Sequence, residues 1–178
     1  MKDLKWFAVY TRPKWERKVT ELLEKKKIKC YCPLNKSYKE WGDKRRVVND
    51  PLFNSYVFVH LAEKDYDKVI QTRGVISFFY WLGKPAVISV EEINTIERFL
   101  NEYPDVRLEK IMVRPDETVR LINNPLILRK GNVLEVRNNA VKVMLPSLGQ
   151  MLVVDARKDG IENISNGEDI KISVQSSI

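Results

Sequence analysis

One histidine and two cysteines in 178 residues leave little material for catalysis or metal binding. His60 lies in an apolar stretch with no second candidate catalytic group near it in sequence, so neither a catalytic triad nor a histidine metal cluster is expected. Cys30 and Cys32 are one residue apart, which in a strand places both on one face. They are too local for a disulfide framework and too few for a zinc site, so both are expected in the core. The sequence contains no G-x-x-x-x-G-K-[ST], no G-x-G-x-x-G, no G-x-S-x-G and no CxxC, so the common phosphate-binding, nucleophile and redox motifs all fail. No enzyme activity, cofactor or metal is expected. Nor is there a run of eighteen apolar residues, and Met1, Lys2 and Asp3 lead straight into structured sequence without a signal-peptide pattern. The expectation is a soluble, cytoplasmic protein with no membrane segment.

What is present is positive charge, unevenly placed. The net charge is +7, but residues 1–46 hold 15 Lys+Arg against 6 Asp+Glu, or +9, while residues 47–105 hold 5 against 9, or −4. A concentrated basic surface raises the local concentration of polyanions and favours nucleic acid.

Residues 6–10 (WFAVY) read as a buried strand. Pro13 then suits a first helical turn, and Val19, Leu22 and Leu23 follow Trp15 at i+4, i+7 and i+8, tracing one helical face. Residues 30–34 and 37–41 read as extended, Gly42-Asp43 as a turn and 45–48 as a returning strand, which makes a basic hairpin. A short helix is expected from about Glu63, with Tyr66, Val69 and Ile70 inward and Gly74 closing it. Residues 75–82 follow as one strand. Ser89 and Glu92 form an S-x-x-E capping box for a helix over 90–103, with Ile88 and Ile93 as its hydrophobic staple.

Residues 104–117 combine two prolines, mixed charge and no sustained period, which suits a linker. From Thr118 the pattern alternates at period two, with turn signals at 123–125, 130–131, 138–139 and 147–149. Several short strands in about fifty residues predict a small barrel, and 170–174 is expected to add one strand before a loose tail. The divisions are 1–104, a linker at 105–117, and 118–178.

The segment 51–59 (PLFNSYVFV) places Phe53, Tyr56 and Phe58 around a tight break. As a strand it has Tyr56 and Phe58 on one face and Val57 and Val59 on the other, so both faces are apolar and one needs cover from elsewhere, for which a partner protein is a candidate. Arg12, Lys14, Lys18 and Arg73 are candidate phosphate contacts, and Trp15 is a candidate for base stacking whose spacing to Val19 favours the core.

Taken together, WFAVYTRPKWERKV, PLFNSYVFV and TRGVISFF followed by SVEEINTI resemble the N-terminal domain of NusG-type transcription elongation factors, and residues 119–133 (VRLINNPLILRKGNV) resemble that family's KOW motif. The TRPKWE, CYCPL and PLFNSYVFV segments are most similar to specialised paralogues of the RfaH and UpxY antiterminator type. The resemblance implies an α+β fold: an N-terminal NusG-type domain with an antiparallel sheet flanked by helices, a linker, and a C-terminal SH3-like β-barrel. It implies docking on the β′ clamp helices of RNA polymerase through Tyr10, Phe53, Tyr56 and Phe58, with Arg12, Lys14, Lys18 and Arg73 towards non-template DNA. Such binding is expected to suppress pausing or termination at specific operons, with the chain a monomer. Leu126, Ile127 and Leu128 are the expected contact for ribosomal protein S10 or Rho. The valine-rich alternation favours a barrel over a helical hairpin, and a barrel that does not mask the clamp-binding surface. Asn54-Ser55 stands where the family usually has Pro-Gly or Pro-Asn, and residues 65–68 (DYDK) do not resemble the His-Thr-Thr stretch of RfaH. An RNA-binding or ribosome-associated module acting through the barrel is the alternative reading.

Overall fold

The computed structural model describes residues 3–81, 83–110, 134–137 and 140–155. Its organising strand is β1 (Lys5–Thr11), which pairs antiparallel with β5 (Tyr56–Leu61) in the register Lys5↔Leu61 to Tyr10↔Tyr56. The sheet runs β2 (Lys29–Tyr31), β5, β1, β6 (Val75–Phe78), and a fifth short strand, β9 (Val87–Ile88), pairs with Trp6 and Phe7 of β1.

Strand alternation sorts the side chains into two cores. Phe7, Val9, Val57, Val59 and Phe78 pack with Val19 and Leu23 of α1 (Glu16–Lys25) and Val69 of α2 (Tyr66–Ile70). On the opposite face Trp6, Ala8, Phe58 and Ile88 pack with Ile93, Ile96 and Phe99 of α3 (Val90–Glu102). The cover that the two-faced aromatic strand requires therefore comes from within the chain, and for Phe58 not from a partner. Ile70 is 42% exposed rather than inward, because α2 is a helix of five residues that turns only Val69 fully into the core.

Between β2 and β5 the chain makes the expected hairpin, β3 (Leu34–Trp41) and β4 (Lys44–Pro51), closed at Trp41↔Lys44 over Gly42, whose φ is +60°. The strand expected over 75–82 is interrupted. It ends at Phe78, the Phe79 amide donates to Ala8 O at 2.8 Å, and Tyr80–Trp81 (β7) pairs with Lys84–Pro85 (β8) as a separate small hairpin.

The capping box forms as the sequence predicts. Ser89 Oγ accepts from the Glu92 amide at 3.1 Å, and the Glu92 carboxylate accepts from the Ser89 amide at 3.1 Å. Beyond α3, Arg107–Lys110 is a strand, β10, inside the stretch expected to be linker. It pairs with β13 (Gln150–Asp155), which pairs with β12 (Ala140–Leu145), which pairs with β11 (Leu134–Arg137), giving a second, four-stranded antiparallel sheet. The KOW-like stretch, the loop at Leu126, Ile127 and Leu128, and the strand expected at 170–174 lie outside the described residues. Val143, Leu145, Leu152 and Val154 of the second sheet join the apolar cluster that contains Phe53 and Phe58. Ser147 ties the two units further: its amide and hydroxyl donate to the Glu92 carboxylate at 2.8 and 2.5 Å. The C-terminal sheet therefore packs on the N-terminal unit and shares the core of Phe53 and Phe58, while Tyr10, Tyr56 and Phe79 stay half-exposed.

Candidate interface for protein and nucleic acid

At the C-terminal end of β1 the cross-strand pair Tyr10 and Tyr56 meets with ring centroids 4.3 Å apart, and Phe79 lies 6.2 and 6.1 Å from the two rings. All three are half-buried. Phe53 and Phe58 are buried beneath them, at 3% and 0% exposure, and meet edge to face at 5.2 Å. The four aromatics predicted as partner-binding thus divide: Tyr10 and Tyr56 are half-exposed, while Phe53 and Phe58 are buried in the core cluster against which Tyr56 and Phe79 pack. Phe79 completes the rim, and sequence reasoning missed it, since TRGVISFF gives no sign of where its strand ends. Burial first, and then the hydrogen bond with Tyr10, push the Tyr56 hydroxyl above the ordinary phenol range, so Tyr56 stays uncharged across the physiological range.

The break before Tyr56 has a definite mechanism. Ser55 adopts a left-handed backbone (φ +62°), its amide donates to Glu16 Oε1 at 2.6 Å, and its carbonyl accepts from the Thr11 amide at 2.8 Å. Glu16 is 5% exposed and opens α1, where the helix dipole favours a carboxylate. A residue of the basic segment therefore anchors the turn that presents the aromatic rim.

One residue past the rim, the chain turns into a cluster of cations around Trp15. Lys18 Nζ lies 4.7 Å, Arg73 Cζ 5.5 Å and Arg12 Cζ 5.6 Å from the ring centroid. These three and Lys14 are exposed. Trp15 itself is half-buried against the α1 core. Its underside meets Gly74 so closely that a Cβ there would stand 2.5 Å from Cε3. The indole holds the cations by cation–π attraction and by its rigid seat. The structure brings together Arg12, Lys18 and Arg73 from two separate segments around Trp15, with Lys14 in the adjoining turn.

His60 stacks on Trp6 at 4.8 Å, and burial together with the nearby Lys29 charge lowers its pKa. Among the described residues no cluster of three or more His, Cys, Asp or Glu is arranged to hold a metal, and no helix is long and apolar enough to cross a membrane.

The family described as "Transcription termination factor nusG" matches residues 4–97, just over half of the chain. The proteins named "Transcription termination/antitermination protein NusG" from Streptococcus pyogenes serotypes M3 and M1 are each 26% identical over 167 residues, covering 86% of this chain and 92% of theirs. A solved structure described as "Domain interaction in Thermotoga maritima NusG" is similar with 21% identity and a TM-score of 0.47, over 85% of this chain and 92% of that one. On the family match, the chain belongs to the NusG family of transcription factors.

Proposed function

We propose that this transcription elongation and antitermination factor docks on the β′ clamp helices of RNA polymerase through Tyr10, Tyr56 and Phe79, over a floor of Phe53 and Phe58. Non-template DNA runs beside it along Arg12, Lys14, Lys18 and Arg73. The factor acts without chemistry of its own, as NusG-family regulators do. It suppresses pausing or termination at specific operons in the cytoplasm, in the manner of the specialised paralogues its TRPKWE, CYCPL and PLFNSYVFV segments resemble. Ribosomal protein S10 or Rho is the proposed partner of the loop at Leu126, Ile127 and Leu128.

The observation that carries this reading is the juxtaposition at one end of β1. A half-exposed aromatic rim and a ring of exposed cations are separated by a single residue, Thr11. Aromatic anchors with a supporting packed floor suit a protein partner, and clustered arginine and lysine suit a phosphate backbone. The test is sequencing of nascent RNA with and without the protein. Read-through lost at a few operons supports the reading, and a uniform change at all genes contradicts the operon-specific part of it.

A further inference from the structure

The β3–β4 hairpin belongs to neither of the surfaces above. Its base is pinned: Asn35 Nδ2 donates to Val106 O at 2.8 Å, the Val106 amide donates to Asn35 Oδ1 at 3.1 Å, and the Asp105 amide donates to Lys36 O at 2.8 Å. From that base the strands, at about 3.3 Å per residue, reach roughly 20 Å. The distal half forms only a two-stranded sheet, with Trp41 at its tip 77% exposed. An indole so exposed contributes little to folding.

The register sorts the side chains. Lys39 stands opposite Arg46 and Trp41 opposite Lys44, so these four share one face; Tyr38, Glu40, Arg45 and Val47 take the other. On that other face Arg45 is spent on the Tyr38 ring, 4.2 Å from its centroid. On the first face the acid is Asp50, towards the base, where it bonds Lys39 at 2.7 Å. The tip is left with an exposed indole flanked by the exposed cations Lys44 and Arg46. The hairpin is also tied to α1, because the Arg17 guanidinium at the start of that helix donates to Asn49 O on β4.

We propose that the hairpin extends the DNA track: an unpaired base of a single DNA strand stacks on Trp41 while Lys44 and Arg46 hold the adjoining phosphates. Exposed aromatics interleaved with cations are the arrangement that binds unpaired strands with little regard to sequence. The proposal rests on the reading that DNA lies along Arg12, Lys14, Lys18 and Arg73.

The test is fluorescence anisotropy of the full chain with a labelled single-stranded DNA of mixed sequence, titrated with salt. Trp41→Ala is expected to weaken binding about tenfold with the salt slope nearly unchanged. Lys44→Ala with Arg46→Ala is expected to lower the slope by about 1.4, at about 0.7 per phosphate contact on a single strand. All three side chains are exposed, so these variants fold. Unchanged affinity and slope in both variants overturns the proposal, as does tighter binding of duplex DNA or of RNA of the same sequence. Arg12→Ala with Lys18→Ala separates the two sites. Binding lost in that variant but kept in Trp41→Ala overturns the hairpin alone, and the reverse pattern upholds the hairpin and overturns the Trp15 cluster.

Discussion

Ser55 is held in a left-handed backbone that costs a non-glycine residue about 1–2 kcal/mol, and the 2.6 Å bond from its amide to Glu16 offsets that cost. Ser55→Gly is therefore expected to stabilise the protein by about 1 kcal/mol in urea unfolding. Glu16→Ala, which leaves the amide without its carboxylate, is expected to cost about 1–3 kcal/mol in the same measurement. The importance of this turn was legible in PLFNSYVFV, but its anchor was not. Glu16 lies 39 residues away from Ser55 in the chain, and nothing in the local pattern pairs them. The cysteines make a second prediction at this scale. Burial pushes the Cys30 thiol up to about 12 and the Cys32 thiol up to about 11. Both stay protonated at pH 8, where an unfolded thiol is partly ionised, and the thiolate is the reactive form. Ellman's reagent at pH 8 is expected to react slowly with the native protein and fully once urea unfolds it; rapid native labelling would refute the burial.

Among the elements, α3 shows most plainly what local sequence can specify. Its capping box needs only Ser89 and Glu92 three residues apart, and both reciprocal bonds form. What the spacing could not reveal is the second use of Glu92, whose carboxylate also accepts from Ser147. Ser89→Ala is expected to cost about 1 kcal/mol. Glu92→Ala should cost more, and a double-mutant cycle with Ser147→Ala should show coupling beyond additivity. Gly74 is the other position where an element depends on one residue. With φ at +95° and Trp15 and Val19 against it, Gly74→Ala is expected to lower stability by more than about 2 kcal/mol, read as a fall in thermal midpoint. The break at Phe79 escaped the sequence because a run of aromatic and β-branched residues looks the same whether it is one strand or two short pieces. The division is made by the hydrogen bonds of Phe79 with Ala86 and with Ala8, the latter on a strand far away in sequence.

For the whole molecule, the two-core plan of the first unit was readable from alternation and helical spacing, since each of its strands and helices carries its own apolar period. The strand Arg107–Lys110, inside the stretch expected as linker, was not readable, for the opposite reason. RLEK has no apolar period of its own and becomes a strand only by pairing with residues 150–153. The docking of the second sheet was equally invisible, because Val143, Leu145, Leu152 and Val154 alternate identically whether they face their own unit or another. The uneven charge, by contrast, was read correctly as a surface property: Arg12, Lys14, Lys18 and Arg73 are all exposed at one end of the molecule. The central claim is that the rim of Tyr10, Tyr56 and Phe79 is the polymerase contact. Its most direct measurement is co-precipitation of RNA polymerase with the full chain carrying Tyr56→Ala, at a thermal midpoint within a few degrees of the parent. At least a tenfold loss of bound polymerase is predicted, and polymerase recovered at the parental level would contradict the account.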